Sequence, residues 1–257
     1  CITASYLNIR IAHVQAGDKS GHIDDLNRSA IAKFAHLHFA SSNEACKRLL
    51  SLGEEKKRIF LTGAPQLEDI KPNKVNSYSS NYFIVIFHPV LNEIESIKKQ
   101  TISLINSIKQ FKNYKFLWIY PNNDMGHNII LSELKKIRVT NLKIIKNLER
   151  DEFIKILSNS RGIIGNSSCG IIEASMFPIP AINIGSRQNK RPQSKNIINT
   201  SYDEKEISNA IKKILNKKFL SKIFKNIKNP YYKKNSNHRI YKLLFKYKKN
   251  SEIFKKY

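Results

Sequence analysis

Eight short runs of β-branched and aromatic residues alternate with longer segments of helical period along most of the chain. Strands that return through helices to parallel neighbours bury both sheet faces, so this order predicts an α/β protein built on parallel sheets. The strand candidates are "IRIAHV" (9–14), "HLHFAS" (36–41), "RIFLTG" (58–63), "YFIVIFH" (82–88), "KFLWIYP" (115–121), "LKIIKN" (142–147), "GIIGNS" (162–167) and "IPAINIG" (179–185). Between them "LNRSAIAKFAH", "SNEACKRLLSLG", "EIESIKKQTISLINSIKQF", "HNIILSELKKIR", "ERDEFIKILSNS" and "CGIIEASMF" read as helices. Ser42 or Asn43 can cap the second of these, with Gly53 as its stop, and Glu149 and Asp151 suit the positive end of the fifth.

The stretch "KPNKVNSYSSN" (71–81) is polar, unpatterned and rich in Asn and Ser, as a linker would be. It divides a piece with three strands from a fuller unit with five, and we expect domains at 1–75 and 76–228, followed by a helix and basic tail at 229–257. The chain starts at Cys1, in what reads as the end of a helix running into a strand, so the first domain is expected to be incomplete.

Apolar residues make up 41% of the 257 positions, enough for packed cores and too many for a disordered chain. No apolar run reaches the roughly 18 to 20 residues of a membrane-spanning helix, and no signal peptide is visible, so a soluble cytoplasmic protein is expected. The three cysteines, Cys1, Cys46 and Cys169, have no metal-ligand spacing and suggest neither a zinc site nor a disulfide framework. The formal charge of +25 invites a nucleic-acid reading, but lysines recur on nearly every helix and thicken only near the end. A solvated lysine-rich surface explains that spread better than a specific nucleic-acid site, and an anionic small substrate fits either.

Ligands of open parallel sheets bind beyond the carboxyl ends of strands, and five such places are unusual here. In "HVQAGDKSGHIDD" (13–25), Gln15, Ala16 and Gly17 turn the chain before Asp18, Asp24 and Asp25; this is either an active-site wall or a loop whose Asp24 or Asp25 caps the next helix. His88 ends the strand before "PV", where a ring of near-neutral pKa suits proton transfer or phosphate contact, unless it is simply packed. "YPNNDMGHN" (120–128) is a turn or a contact loop. In "IIGNSSCGIIEA" (163–174), Gly165 ends a strand and Asn166, Ser167, Ser168 and Gly170 open a helix, offering N–H groups, hydroxyls and a positive dipole end to a diphosphate. Glu173 follows one turn later, in reach of a ribose, and the alternative is a Ser-capped helix with an exposed Glu. In "NIGSRQNKR" (183–191), Arg187 and Arg191 offer fork-shaped donors to phosphate or merely solvate a loop.

In this order "AHVQAGDKSGHIDDLNRSAIAKFAHLHF", "RIFLTGAPQLEDI", "FHPV", "YPNNDMG", "GNSSCGIIEA", "NIGSRQNKR" and "NPYYKKNSNHRI" resemble the UDP-N-acetylglucosamine 2-epimerase family, closer to its hydrolysing, sialic-acid-pathway branch. The resemblance implies two Rossmann-like domains of glycosyltransferase-B type with a UDP-sugar in the cleft, a final helix packed back across them, and a homodimer or homotetramer. It implies that the first few strands of the N-terminal domain precede this chain. The implied reaction uses no metal and no nicotinamide cofactor: a proton leaves C2 as UDP leaves C1, and water then adds to the glycal to give N-acetylmannosamine.

By the same resemblance Asp24 matches a catalytic acidic residue, Arg28 an accompanying Arg, and His88 the strand-end histidine near the diphosphate. Ser167 and Ser168 match the phosphate-binding turn, which includes Asn166 and Gly170; Glu173 matches the ribose carboxylate, and Arg187 and Arg191 match ligand-contacting or loop-ordering residues. Gln15 stands where many members carry a catalytic Glu, and a neutral amide cannot act as a base. Asp18 or Asp24 then takes that work, or upstream residues do, or catalysis is lost. The implied function is a hydrolysing UDP-N-acetylglucosamine 2-epimerase. Its rivals are a sister enzyme on a UDP-diacetamido or GDP sugar, a non-hydrolysing epimerase, and an impaired nucleotide-sugar or polyanion-binding protein.

Overall fold

The structure is a computed structural model of the chain and describes residues 1–71, 80–225 and 227–248. In chain order its elements are α1 (Ile2–Tyr6), β1 (Ala12–Ala16), α2 (Asp24–Phe34), β2 (Leu37–Ala40), α3 (Asn43–Ser51), β3 (Ile59–Leu61), β4 (Tyr82–Ile86), α4 (Ile97–Lys109), β5 (Lys115–Ile119), α5 (His127–Lys135), β6 (Leu142–Ile145), α6 (Arg150–Ser158), β7 (Ile163–Gly165), β8 (Ala181–Ile184), β9 (Ile197–Thr200), α7 (Glu204–Leu215), α8 (Lys217–Phe224) and α9 (Ser236–Lys248). Contacts group the chain into two compact units: Cys1–Lys71 with Lys190–Pro192 and Pro230–Tyr257, and Pro72–Asn189 with Gln193–Asn229. The expected linker lies mostly outside the described residues.

The first unit holds a parallel sheet in the order β1-β2-β3. α9 lays Ile240 against Leu37 and Phe39 of β2, with Phe60, Leu243 and Tyr247 around them. Ser42 is the cap of α3, its side chain accepting from the Ala45 N–H at 3.2 Å, which settles the choice between Ser42 and Asn43.

The second unit holds a parallel sheet in the order β6-β5-β4-β7-β8-β9. Phe83 of β4 stacks on Phe116 of β5 with ring centroids 5.5 Å apart. Leu104, Ile105 and Ile108 of α4 and Ile207, Ile211 and Ile214 of α7 close the same core. Because every pairing is parallel, β4, β5, β7 and β8 all release the chain at one edge, where His88, Asn122, Asn166 and Arg187 follow.

Two features depart from the sequence reading. β9 was not among the expected strands, and residues 169–177 do not form an α-helix. They fold as two 3-10 turns, Ser168–Gly170 and Ala174–Met176. The consecutive β-branched Ile171 and Ile172 and Pro178 soon after disfavour a continuous helix. No helix among the described residues is long and apolar enough to cross a membrane.

Candidate active site

In the first unit the chemistry gathers after β1. The ladder with β2 shifts register between Val14 and Ala16, and Gln15 there has φ +57°, a left-handed conformation that costs a non-glycine residue energy. The bulge re-aims its amide, which donates to the Gln66 side-chain oxygen. Asp18 is buried: Arg191 Nη1 lies 3.0 Å from Oδ2, and the Ser41 hydroxyl donates to Oδ1.

Asp25 does not cap α2; the cap position belongs to Ile23, with no side-chain cap bond. Its carboxylate instead takes the Ser20 N–H at 2.7 Å, the Gly21 N–H at 2.9 Å and Arg28 Nη1 at 3.2 Å. Burial alone would raise its pKa, but these donors and the Ser20 hydroxyl hold it below the usual carboxylate value. Asp24 keeps an open face: its side chain is 46% exposed, with Arg28 Nη2 at 3.3 Å and His22 Nδ1 at 3.8 Å. His13 is pushed down to about 4 by burial, with His38 and Arg28 adding to it and Asp18 opposing.

In the second unit His88 is gripped by its backbone. Its N–H donates to Asn166 Oδ1 at 2.7 Å, and Asn166 Nδ2 donates back to its carbonyl at 2.8 Å. The Asn122 N–H donates to Nδ1 at 3.0 Å, so the neutral ring carries its proton on Nε2. Burial, then the Arg187 charge, push its pKa down to about 4, against Asp124. This corrects the expected near-neutral titration: between pH 5 and 8 His88 is a neutral hydrogen-bond donor.

Gly165 makes that grip possible. Its φ is +136°, and a Cβ there would stand 1.9 Å from the Ile86 carbonyl oxygen. We therefore expect Gly165→Ala to lower stability by about 3 kcal/mol or more through strain and displacement of β4, read as a fall in thermal midpoint. A midpoint within a degree of the parent would refute this account of the strand end.

Ser167 and Ser168 begin the first 3-10 turn, both partly exposed, and the Cys169 thiol bonds Ser167 Oγ at 3.1 Å. The full helix dipole expected there is absent, so the donors on offer are the hydroxyls and leading N–H groups of a short turn. Asn166 is fully buried and serves the His88 grip rather than facing out. At Gly170 a Cβ would make only ordinary contact with Ile163 and Ala181, so space does not demand glycine. Glu173, expected on an α-helix, sits between the two turns, 8% exposed, with Arg150 Nη1 3.9 Å away.

The two arginines of 183–191 part company. Arg187 Nη1 donates to the Asn166 carbonyl at 3.4 Å and Nη2 lies 3.9 Å from Asp124 Oδ2, beside His88. Arg191 groups with the first unit, on Asp18. Sequence reasoning also passed over His22, Asp124 and Gln188, whose Nε2 reaches the Asn166 carbonyl at 3.1 Å. Only their places beside strand-end loops could have marked them. Among the described residues no group of three or more His, Cys, Asp or Glu could hold a metal ion.

The chain matches the family model described as UDP-N-acetylglucosamine 2-epimerase over residues 1–245. It is 36% identical over 228 residues to the UDP-N,N'-diacetylbacillosamine 2-epimerase (hydrolyzing) of Legionella pneumophila, covering 84% of this chain and 60% of that protein. It is 32% identical over 211 residues to the UDP-N-acetylglucosamine 2-epimerase of Neisseria meningitidis, covering 78% and 56%. The chain thus spans about three-fifths of the length of the curated relatives it matches. In structure it is similar to S. aureus MnaA solved with UDP, with a TM-score of 0.76, 20% identity, and coverage of 96% of this chain and 70% of that one. That likeness speaks for the α/β, glycosyltransferase-B fold class.

Proposed function

Because the chain belongs to the UDP-N-acetylglucosamine 2-epimerase family, we propose that it takes part in a hydrolysing 2-epimerisation of a UDP-linked 2-acetamido sugar. UDP-N-acetylglucosamine is the first substrate we assign, with N-acetylmannosamine and UDP as products. A UDP-diacetamido sugar is the second, favoured by the Legionella relative, whose own name carries that substrate and the word hydrolyzing.

One observation carries the reading: a neutral His88 whose Nδ1 accepts from Asn122 and whose Nε2 therefore carries the proton, set with Arg187 and the Ser167 turn at one strand edge. Such a set supplies a hydrogen bond, a fork-shaped cation and hydroxyls to a diphosphate that gains charge as it leaves C1. Removal of the C2 proton needs a carboxylate that solvent and substrate can reach. Asp24 fits that need, held by Arg28 and partly exposed, whereas Gln15 has no basic atom. In this reading Gln15 shapes the loop through its bulge, and Asp18 with Arg191 braces it.

Incubation of the protein with each UDP-sugar, followed by phosphorus and proton NMR, tests the proposal. UDP and the free 2-epimeric sugar should appear together. A protein that binds UDP but releases neither product from either sugar, and is inert toward a panel of other nucleotide sugars, sinks the enzymatic reading. Glu173 is assigned to the ribose hydroxyls, so Glu173→Ala should weaken UDP binding about tenfold, the equivalent of about 1.4 kcal/mol, with kcat little changed. A fall in kcat with unchanged affinity would remove that assignment.

A further inference from the structure

We propose that Glu93 is a positioning residue, whose carboxylate fixes the turn at Gly185 and Ser186 and so holds the Arg187 guanidinium beside His88. The proposal rests on the reading of His88 and Arg187 as diphosphate-binding groups.

Glu93 lies five residues after His88, in the 3-10 stretch Leu91–Ser96, and its φ of −125° and ψ of 18° break the helical run there. Its two oxygens are used separately. Oε1 accepts from the Ser186 hydroxyl, and Oε2 accepts from Gln100 Nε2 at 2.9 Å. The Tyr202 phenol shares the same carboxylate; burial first, and then Glu93, push its pKa up to about 12, so it stays a donor. A carboxylate taking several donors holds them more firmly than a neutral acceptor would.

Tyr202 also closes over the turn. Gly185 has φ +73°, and a Cβ there would meet the Tyr202 hydroxyl oxygen at 2.2 Å, so only glycine lets the ring lie so close. The Ser186 N–H points to that oxygen at 3.4 Å. One residue on, Arg187 reaches the Asn166 carbonyl. An arginine on a free loop must lose rotamer and backbone freedom when it binds an anion, and a turn pinned beforehand has already met that cost. Glu93 has no bond to His88 or Asn166 among those described, so its influence passes through Arg187.

The test is UDP binding by calorimetry in the parent, Glu93→Ala, Arg187→Ala and the double variant. Glu93→Ala should weaken binding about tenfold in the parent and less than about twofold once Arg187 is already alanine, because both changes remove one effect. An equal loss in both backgrounds overturns the proposal. If Glu93→Ala does not fold, Ser186→Ala removes the same link and should show the same dependence on background.

If the parent protein does not bind UDP, the diphosphate reading fails, and the titration of His88 by NMR judges the clamp by itself. The charges facing His88 are Arg187, which lowers its pKa, and Asp124, which raises it. Release of Arg187 in Glu93→Ala should therefore raise the His88 pKa from about 4. Loss of the Glu93 charge alone would act in the opposite direction. An unchanged or lower value overturns the clamp.

Discussion

His88→Ala should lower turnover about 10²- to 10³-fold, the effect of removing one donor aimed at developing negative charge. The backbone bonds to Asn166 survive this change, since they use the His88 N–H and carbonyl and not the ring. The strand end should therefore stay in place, and UDP affinity should fall far less than turnover. The protonation state gives a second check. Burial, then Arg187, hold the ring near 4, so its Nε2–H donor is present unchanged from pH 8 down to about 5. A pH profile of kcat should show no His88 step near 6.5. For stability the sign follows from the depressed value. The contribution of His88 is present in full above its unfolded pKa of about 6.5, because the unfolded ring takes a proton that the folded one refuses. It is lost as pH falls from there toward 4. The thermal midpoint should drop over that window, and drop less in His88→Ala. Turnover within threefold of the parent would show that the ring is packing and nothing more, and a midpoint slope unaffected by the substitution would overturn the depressed pKa.

The parallel sheets were legible because their signal is local. Apolar runs such as "YFIVIFH" and "KFLWIYP" need no tertiary information to read as strands, and Ser42 announces α3 by its own hydrogen-bonding chemistry. β9 was missed because "IINT" is short and its Asn199 is exposed, with polar partners supplied by Asn183 and Gln193 from elsewhere in the chain. The helix expected at 169–177 failed for another reason: its apolar spacing was suggestive, but the paired Ile171 and Ile172 and the following Pro178 disfavour a helix, and residues 171–177 are buried throughout instead of along one stripe.

The candidate residues were legible as a group at the strand ends, but their individual contacts were not. Strand-end position singled out His88, Asn166 and Arg187, which lie together at one sheet edge, yet nothing in "GNSS" distinguishes an asparagine that grips a backbone from one that meets a ligand. The pairing of Arg191 with Asp18 joins residues 173 positions apart, and the bulge at Gln15 exists only once β1 has met β2. Both are products of tertiary contact, which pattern and spacing do not contain.

Asp24→Asn is expected to reduce turnover about 10²- to 10⁴-fold while UDP affinity changes less than about threefold. The other candidate groups after β1 are already engaged or lack a basic atom. Asp18 is buried on Arg191 and Ser41, and Asp25 is saturated by the Ser20 and Gly21 N–H groups and by Arg28. Gln15 has only an amide. Asp24 is the most open of the three carboxylates, its side chain 46% exposed against 18% for Asp25 and 3% for Asp18, while Arg28 at 3.3 Å orients it. Asn is nearly the same size and can still accept from Arg28, so the fold should tolerate it, but it cannot take the C2 proton. Asp25→Asn should behave differently: it leaves loop N–H donors facing a weaker acceptor and should lower the thermal midpoint along with activity. The decisive measurement is proton exchange. In deuterated water the parent should place deuterium at C2 of the product, and Asp24→Asn should lose that incorporation together with turnover. Full turnover in Asp24→Asn would remove Asp24 from the chemistry. Loss of turnover and of deuterium incorporation in Asp18→Asn instead would mean that the buried pair with Arg191 opens when substrate binds.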